Sequence, residues 1–283
     1  MIQNVKTLVL SLFMLVAIST SMHAQALKTP AGSPLQTIKQ TFALSDITVE
    51  YCRPSAKGRV VFGDVVPFGK IWRTGANGST KLTFGDDVTI DGKAIKAGTY
   101  ALYTIPNKDT WDIMLYNDTK LGGNVGEYKT ENEVARFKAT AKAMNDKTET
   151  FTIEFANITP TSVNIDLVWE KTRVGFTVKT EIDAKIMANI ETVMTTDARP
   201  YYQSASYYYE NNKDLSKALN WVTKATEMNP KAYWVWGLKA KIHAKMNDKK
   251  GALAAAQQTL TLAQAEEDGA YIKIAEKIIA ENK

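Results

Sequence analysis

The sequence predicts an exported β-plus-α protein, in which an antiparallel β-sandwich or jelly-roll-like domain precedes a short α-helical array. Three observations predict this architecture. Short runs of alternating apolar and polar residues, separated by turn residues, extend over residues 47–178. After Glu181 the apolar residues recur with the helical period. The first residues have the composition of a secretory signal.

The predicted signal begins with Lys6 and continues as the apolar stretch Thr7–Ile18, which is too short to span a bilayer. Cleavage is expected after Ala24 or after Ala26. The mature protein is therefore predicted to be periplasmic or secreted, with no membrane span left after cleavage. The predicted parts are a signal peptide (1–24), a β domain (25–180) and a helical domain (181–283).

The first strands of the β domain are indicated by alternation and by turn residues. Ile47, Val49 and Tyr51 alternate with polar neighbours. The runs 88–90 and 93–95 flank Asp91-Gly92, which is a strong hairpin signal because these residues tolerate the positive φ angles of a type I′ turn. Further short strands are predicted at 81–84, 99–105 and 111–116.

The segment 133–144 fits two patterns. Val134, Phe137, Ala141 and Met144 would share one face of a helix, but the odd-numbered residues from Ala135 to Ala143 also alternate with polar ones. We predict a strand, because an Asn145-Asp146-Lys147 turn and a second alternating run would complete a hairpin. The predicted strands that follow are 150–155, 163–169 and 173–179.

The helical part contains a repeat with an offset of 34 residues. It relates Ser206 to Ala240, Asp214 to Asp248 and Ala218 to Ala252. The first unit resembles the tetratricopeptide pattern, with small residues at 206, 218 and 225, Pro230, and large aromatic residues at 202 and 209; the second unit is degenerate. Helices at 181–195 and 269–280 are expected to cap the array. The many aromatic residues either fill the repeat core or form a binding surface.

Such an array is expected to hold a protein partner in its concave face. The candidate contact residues are Tyr202, Tyr209, Trp236 and Lys239.

The densest cluster of unusual residues lies at 51–80, where three arginines occur near a tryptophan and several glycines. Guanidinium groups bind carboxylates or phosphates bidentately, and a tryptophan ring can stack on a sugar. A structural alternative pairs Arg73 with Glu50 or Asp64 and places Trp72 in the core. The candidate ligand-binding residues are Arg53, Arg59, Trp72, Arg73, Thr74, Asn77 and Ser79.

The same region carries a family resemblance. The runs Arg53-Pro54-Ser55, Lys57-Gly58-Arg59, Phe62-Gly63, Val66-Pro67-Phe68-Gly69, Trp72-Arg73-Thr74-Gly75-Ala76-Asn77 and Ala97-Gly98-Thr99-Tyr100 resemble domain of unknown function 2911, a family of exported bacterial proteins. The resemblance covers about Ser33–Thr180 and implies no particular activity. An acidic residue often follows the Asn in that family, whereas Gly78 stands here.

Composition excludes several function classes. The formal net charge of +5 is not concentrated in a basic stripe, so no nucleic-acid partner is predicted. Cys52 is the single cysteine, and one of the two histidines lies in the predicted signal. Disulfide scaffolds, histidine-based catalysis and zinc sites are therefore not expected, and no cofactor or metal is predicted.

These observations predict a non-catalytic binding or scaffold protein, whose β domain binds a small polar, anionic or glycan ligand and whose helices bind a protein. One alternative is a glycan hydrolase that uses loop carboxylates. The loop acids available for it are Asp64, Asp86, Asp87 and Asp91. A second alternative is a purely structural assembly module.

Overall fold

The computed structural model of the protein describes residues 29–196 and 199–283. The predicted signal segment, with its basic residue, apolar stretch and cleavage points, lies outside the described residues. The described chain forms two compact units, one up to Thr180 and the other from Glu181 onward. None of the described helices has the length and apolar character needed to cross a membrane.

Nine antiparallel strands build the described part of the first unit. The hairpin predicted around Asp91-Gly92 is present, with φ angles of 50° and 75° at its two turn residues. The strands are β1 (Leu35–Phe42), β2 (Ser45–Cys52), β3 (Thr80–Phe84), β4 (Val88–Ile90), β5 (Lys93–Ile95), β6 (Gly98–Ile105), β7 (Thr110–Tyr116), β8 (Glu133–Ala156) and β9 (Ser162–Lys179). Their order in the sheet is β1-β2-β3-β6-β7-β8-β9-β4-β5.

Strand β8 joins the two halves of the sheet. Its first part pairs with β7 and its later part pairs with β9. Tyr51 on β2 packs edge-on against Phe151 on β8, and its hydroxyl accepts a 2.9 Å hydrogen bond from the backbone NH of Ile153. The halves therefore face each other across one apolar core. The predicted antiparallel β domain followed by a helical array is confirmed.

Two details of the predicted strands are wrong. Residues 133–144 do form a strand, but Asn145-Asp146-Lys147 is not a turn, because β8 runs through it to Ala156. The pairing of β8 with β9 shifts register between Ala143 and Thr148, which is the segment that contains Asn145-Asp146-Lys147. Such an irregularity, as in a β-bulge, bends a strand without reversing it. The chain reverses near Asn157, where φ is 50°. The strands predicted at 163–169 and 173–179 are likewise one strand, β9.

Six helices form the described part of the second unit. Asp214 and Asp248, related by the 34-residue offset, each cap the start of a helix by accepting backbone NH hydrogen bonds. Ala218 and Ala252, related in the same way, are fully buried. The helices are α1 (Asp183–Val193), α2 (Tyr201–Glu210), α3 (Leu215–Met228), α4 (Tyr233–Lys245), α5 (Lys249–Ala265) and α6 (Gly269–Asn282).

Candidate functional site

The long loop between β2 and β3 is anchored to the sheet through Trp72. Its backbone exchanges two hydrogen bonds with Thr104 on β6, at 2.7 and 2.9 Å. The Trp72 indole enters the core, where it stacks on Trp169 at 5.9 Å and contacts three more aromatic rings. Its Nε1 donates to the Gly75 carbonyl at 3.0 Å. Most of this ring is therefore a packing element rather than a free stacking platform.

Arg73 follows Trp72 and takes the opposite face of the sheet, because successive side chains of an extended segment alternate in direction. Its guanidinium lies directly on Gly123: a Cβ added at that glycine would be 1.7 Å from Nη1. The Nε atom is buried and has no hydrogen-bond partner among the described residues. Glu50 pairs instead with Lys81, at 3.2 Å. The alternative in which Glu50 or Asp64 neutralises Arg73 is thus wrong for the described chain.

A second buried polar group, the Ser79 hydroxyl, lies beside Tyr103. The Ser79 side chain is buried, and its Oγ completes no hydrogen bond with a described residue. Burial raises the pKa of the nearby Tyr103 phenol, while the Ser79 hydroxyl and the Arg73 charge act in the opposite direction. The Tyr103 proton is committed elsewhere, since the hydroxyl donates to the Gly122 carbonyl at 2.8 Å. Arg73 and Ser79 therefore both act on the Tyr103 phenol, and the unpartnered donor that remains beside it is the Arg73 Nε.

Thr74 is strained. Its φ of 55° lies in the left-handed region, which is a genuine outlier for a β-branched residue. Its side chain is fully buried and is held by a 3.1 Å hydrogen bond to Thr104 Oγ1. Such strain persists only where the surroundings impose it, and it clusters at binding and catalytic sites. Thr74 therefore fixes the direction of the backbone beside Arg73 and does not itself contact the cavity.

A cavity of about 190 Å³ opens at Arg73. It lies between the loop that carries Arg73 and the segment around Gly123. The two cationic residues in its wall are Arg73 and Lys70. Its lining residues are Val65, Val66, Pro67, Lys70, Ile71, Trp72, Arg73, Gly123 and Val125.

A second, smaller core holds the Gly123 segment in place. Tyr103, Tyr116 and Tyr128 pack together on the outer face of β6 and β7, with the rings of Tyr116 and Tyr128 stacked at 4.4 Å. The Tyr116 hydroxyl also accepts a 3.1 Å hydrogen bond from the backbone NH of Lys129. The segment after β7 is thereby fixed over the sheet, and it supplies one wall of the cavity.

The other predicted ligand residues lie outside this cavity. Arg53 donates to the Phe151 carbonyl at 3.0 Å and to Thr152 Oγ1 at 2.7 Å, which ties the loop to β8. Arg59 donates to the carbonyls of Ser55 and Ala56, both at 2.9 Å, and so closes its own turn. Asn77 is exposed, with a φ of 60° typical of a turn asparagine. Of the seven predicted residues, Trp72 and Arg73 line the cavity, and the other five are not among its lining residues.

Sequence reasoning missed seven of the nine described residues that line the cavity. Lys70, Gly123 and Val125 were not predicted, although Lys70 lies inside the motif cluster. The Gly122-Gly123 pair was the available signal, because adjacent glycines often mark a close approach between chain segments. Because these glycines are far from Arg73 in the sequence, the pattern did not indicate that the two segments are in contact.

In the helical unit, the candidate partner residues are all half-buried. The Trp236 Nε1 donates to the Pro230 carbonyl at 2.9 Å, and Lys239 Nζ lies 5.1 Å from the centre of the Trp236 ring. Burial lowers the pKa of the Lys239 ammonium and raises that of the Tyr202 phenol. Lys245 donates to the Tyr209 carbonyl at 3.0 Å, which joins α2 to α4.

A second cavity, of about 490 Å³, lies beside the β4–β5 turn, and Asp91 is the single carboxylate among the described residues that line it. The described residues that line the Arg73 cavity include no carboxylate. Among residues 29–196 and 199–283, no three His, Cys, Asp or Glu side chains group so that they could hold a metal ion. Asp87, a further loop acid, pairs with Lys96 at 2.8 Å.

Comparison with known proteins gives one match. The model of the family described as Protein of unknown function (DUF2911) matches residues 33–178. No curated protein and no solved structure matches the chain.

Proposed function

The chain belongs to the DUF2911 family of proteins of unknown function, and from that premise we propose a non-catalytic binding protein whose β domain holds a small anionic ligand at Arg73. The observation that carries the proposal is the buried, unpartnered Nε of Arg73, a residue that lines a cavity. A buried donor without a partner costs the folded protein free energy. A ligand carboxylate or phosphate would satisfy it with charge-assisted hydrogen bonds.

The lining of the Arg73 cavity and of the cavity beside the β4–β5 turn supports a binding protein over a glycan hydrolase, and the cavity lined by Asp46 and Asp86 has a volume of only about 10 Å³. Glycoside hydrolysis uses two carboxyl groups about 5 to 10 Å apart on either side of the bond that is cleaved. Among the described lining residues, the Arg73 cavity has no carboxylate and the cavity beside the β4–β5 turn has only Asp91. The unpartnered Arg73 likewise favours a ligand site over a purely structural module.

We further propose that the protein is exported and that two helical pairs, α2 with α3 and α4 with α5, are tetratricopeptide-like repeats that hold a protein partner. Export rests on the composition of residues 1–24. The repeat proposal rests on the capping residues Asp214 and Asp248 and on the buried alanines at 218 and 252, which share the 34-residue offset. Half-buried Trp236 and Lys239 would supply part of the contact surface.

A thermal-shift screen tests the ligand site. The purified protein is melted with uronic acids, neutral sugars, carboxylates, phosphates and nucleotides, beside Arg73→Met and Arg59→Gln variants. A ligand at a hundred times its Kd stabilises the folded state by about 2.7 kcal/mol, or roughly 5 to 10 °C in Tm. We expect an anion to raise the Tm of the wild type and of Arg59→Gln but not of Arg73→Met. If no anion acts in this Arg73-dependent way, the proposed site is wrong.

The partner proposal is tested separately in the source cells. Tagged protein is purified from the envelope fraction as wild type, as the double variant Trp236→Ala, Lys239→Ala, and as Lys277→Ala. Lys277 is an exposed lysine on α6 that contacts only Glu281, at 3.8 Å, among the described ion pairs. We expect a stoichiometric partner to be lost from the double variant alone. Equal recovery from all three proteins would refute the proposed surface.

A further inference from the structure

The walls of the Arg73 cavity carry information about the ligand beyond its charge. Apart from the two cations and Gly123, every described residue that lines the cavity is apolar. Val65 is 40% exposed and Val125 is 37% exposed, although both are large aliphatic residues at the cavity. The described chain leaves this part of each side chain uncovered. The cavity therefore combines one cationic wall with uncovered aliphatic walls.

These walls discriminate among anions. A sugar or a phosphate dianion would turn hydroxyls or charged oxygens toward valine and proline side chains, which cannot replace their hydrogen bonds to water. A carboxylate presents its two oxygens to the guanidinium of Arg73 and leaves the rest of the ligand free to be apolar. A hydrocarbon group against Val65 and Val125 would remove apolar surface from water on both sides.

The size of the cavity limits the apolar group. Its volume of about 190 Å³ equals roughly six water molecules, at about 30 Å³ for each in the liquid. A carboxyl group with three to five further carbons has about this bulk. A long acyl chain would extend beyond the walls into solvent.

We infer that the Arg73 cavity takes a small monocarboxylate with a short, branched or cyclic hydrocarbon body. The carboxylate lies on the guanidinium, and the hydrocarbon packs against Val65 and Val125. This inference rests on the proposed function of the cavity as an anion site, and it names the chemical class of the anion.

Titration calorimetry on the full purified protein tests the inference with defined probes. The probes are acetate, butyrate, isovalerate, isoamyl alcohol, glucuronate and inorganic phosphate. Each buried methylene tightens binding about fourfold. Because part of the hydrocarbon stays exposed, we expect isovalerate to bind at least about tenfold more tightly than acetate. Isoamyl alcohol, which has the same branched skeleton without the carboxylate, should not bind measurably.

Matched variants separate the two walls. Gly123→Ala places a Cβ where Arg73 Nη1 now lies, so the flexible guanidinium must move away. Gly126→Ala in the same segment meets only Asn124 Oδ1, at 4.0 Å. We expect Gly123→Ala to lose all carboxylate binding and Gly126→Ala to keep it. Val125→Thr retains the side-chain shape but adds a hydroxyl, and should weaken isovalerate several-fold while leaving acetate unchanged.

The outcomes distinguish this inference from the proposal on which it rests. Isovalerate binding no more tightly than acetate, while glucuronate or phosphate binds in an Arg73-dependent way, would overturn the ligand class and leave the anion site standing. Absence of any Arg73-dependent anion binding would overturn both. Equal binding of isoamyl alcohol and isovalerate would show that the apolar walls act alone, which also overturns both.

Discussion

Replacing Arg73 with methionine should make the ligand-free protein more stable. Methionine keeps an unbranched aliphatic stem and removes the guanidinium, whose Nε is buried without a described partner. An unsatisfied buried donor costs about 1–3 kcal/mol. Arg73 is half-buried and keeps some contact with water, so the lower end of that range applies. We expect the free energy of unfolding of the β unit to rise by about 1 kcal/mol, or about 2–4 °C in Tm.

Arg53→Met is the matched control, because Arg53 is also half-buried but uses its guanidinium. It donates to the Phe151 carbonyl and to Thr152 Oγ1, at 3.0 and 2.7 Å. Hydrogen bonds to charged groups contribute about 1.5–3 kcal/mol each when well buried. We therefore expect Arg53→Met to lower the free energy of unfolding by about 2 kcal/mol. The two arginine variants should therefore change the free energy of unfolding in opposite directions.

The assay must report on the β unit alone. Each unit holds three of the six tryptophans, so fluorescence would mix the two transitions. Hydrogen exchange read by mass spectrometry on peptides from β6 and β7 avoids this, because the slowest amides there report the stability of the β unit. We expect the free energy of unfolding of Arg73→Met to rise by about 1 kcal/mol. A fall of about 1 kcal/mol or more in this free energy would refute the reasoning. The guanidinium would then be a structural group with partners in the folded protein.

Three further changes test other parts of the structure. Gly92→Ala puts a Cβ on a residue with φ of 75° and open space around it, so backbone strain alone should cost about 1–2 kcal/mol by exchange on β4. Trp72→Ala removes a ring packed on four aromatic neighbours and should cost about 3–5 kcal/mol in the same assay. Asp268→Asn keeps a capping side chain but removes its charge. The NH of Tyr271 and the Tyr233 hydroxyl hold the pKa of Asp268 below its ordinary value. Its charge therefore stabilises the helices above about pH 4, and this contribution is lost as pH falls through the lowered pKa. The difference in helix melting between wild type and variant, followed by far-UV circular dichroism, should shrink on acidification.

Each of these changes has a result that would contradict it. Gly78 has open space around it and no left-handed φ, so Gly78→Ala should leave the free energy of unfolding nearly unchanged. An equal loss of stability in Gly78→Ala and Gly92→Ala would contradict the argument from backbone strain. A cost below about 1 kcal/mol for Trp72→Ala would place its ring outside the core. A difference between wild type and Asp268→Asn that grows at low pH would mean that the carboxylate does not stabilise the cap.

Local patterns were sufficient to predict most of the β unit. The Asp91-Gly92 hairpin follows from two residues that tolerate positive φ, and alternation located β2, β3, β6 and β7. The alternation also correctly predicted a strand at 133–144. It failed at Asn145-Asp146-Lys147, since turn-forming residues also suit a bulge. Whether a chain bends or reverses there depends on the partner strand, which is β9 rather than the preceding segment.

The candidate site was predicted only in part. The motif cluster drew attention to Arg73 and Trp72, and these two residues do lie at one cavity. It also grouped Arg53 and Arg59 with them, although each bonds a different part of the backbone. Residue type indicates that an arginine can bind an anion. Whether its donors are already occupied depends on which carbonyls lie within reach.

The sequence by itself determined that a β part precedes a helical part, the family, and the 34-residue relation between Asp214 and Asp248. Those features depend on interactions between residues close in the chain. Only the tertiary structure decided that Arg73 rests on Gly123, that the tyrosine core fixes this segment, and that no described acid neutralises the guanidinium. Each of these contacts joins segments far apart in sequence. Such contacts depend on how the sheet folds over its core, which no local pattern encodes.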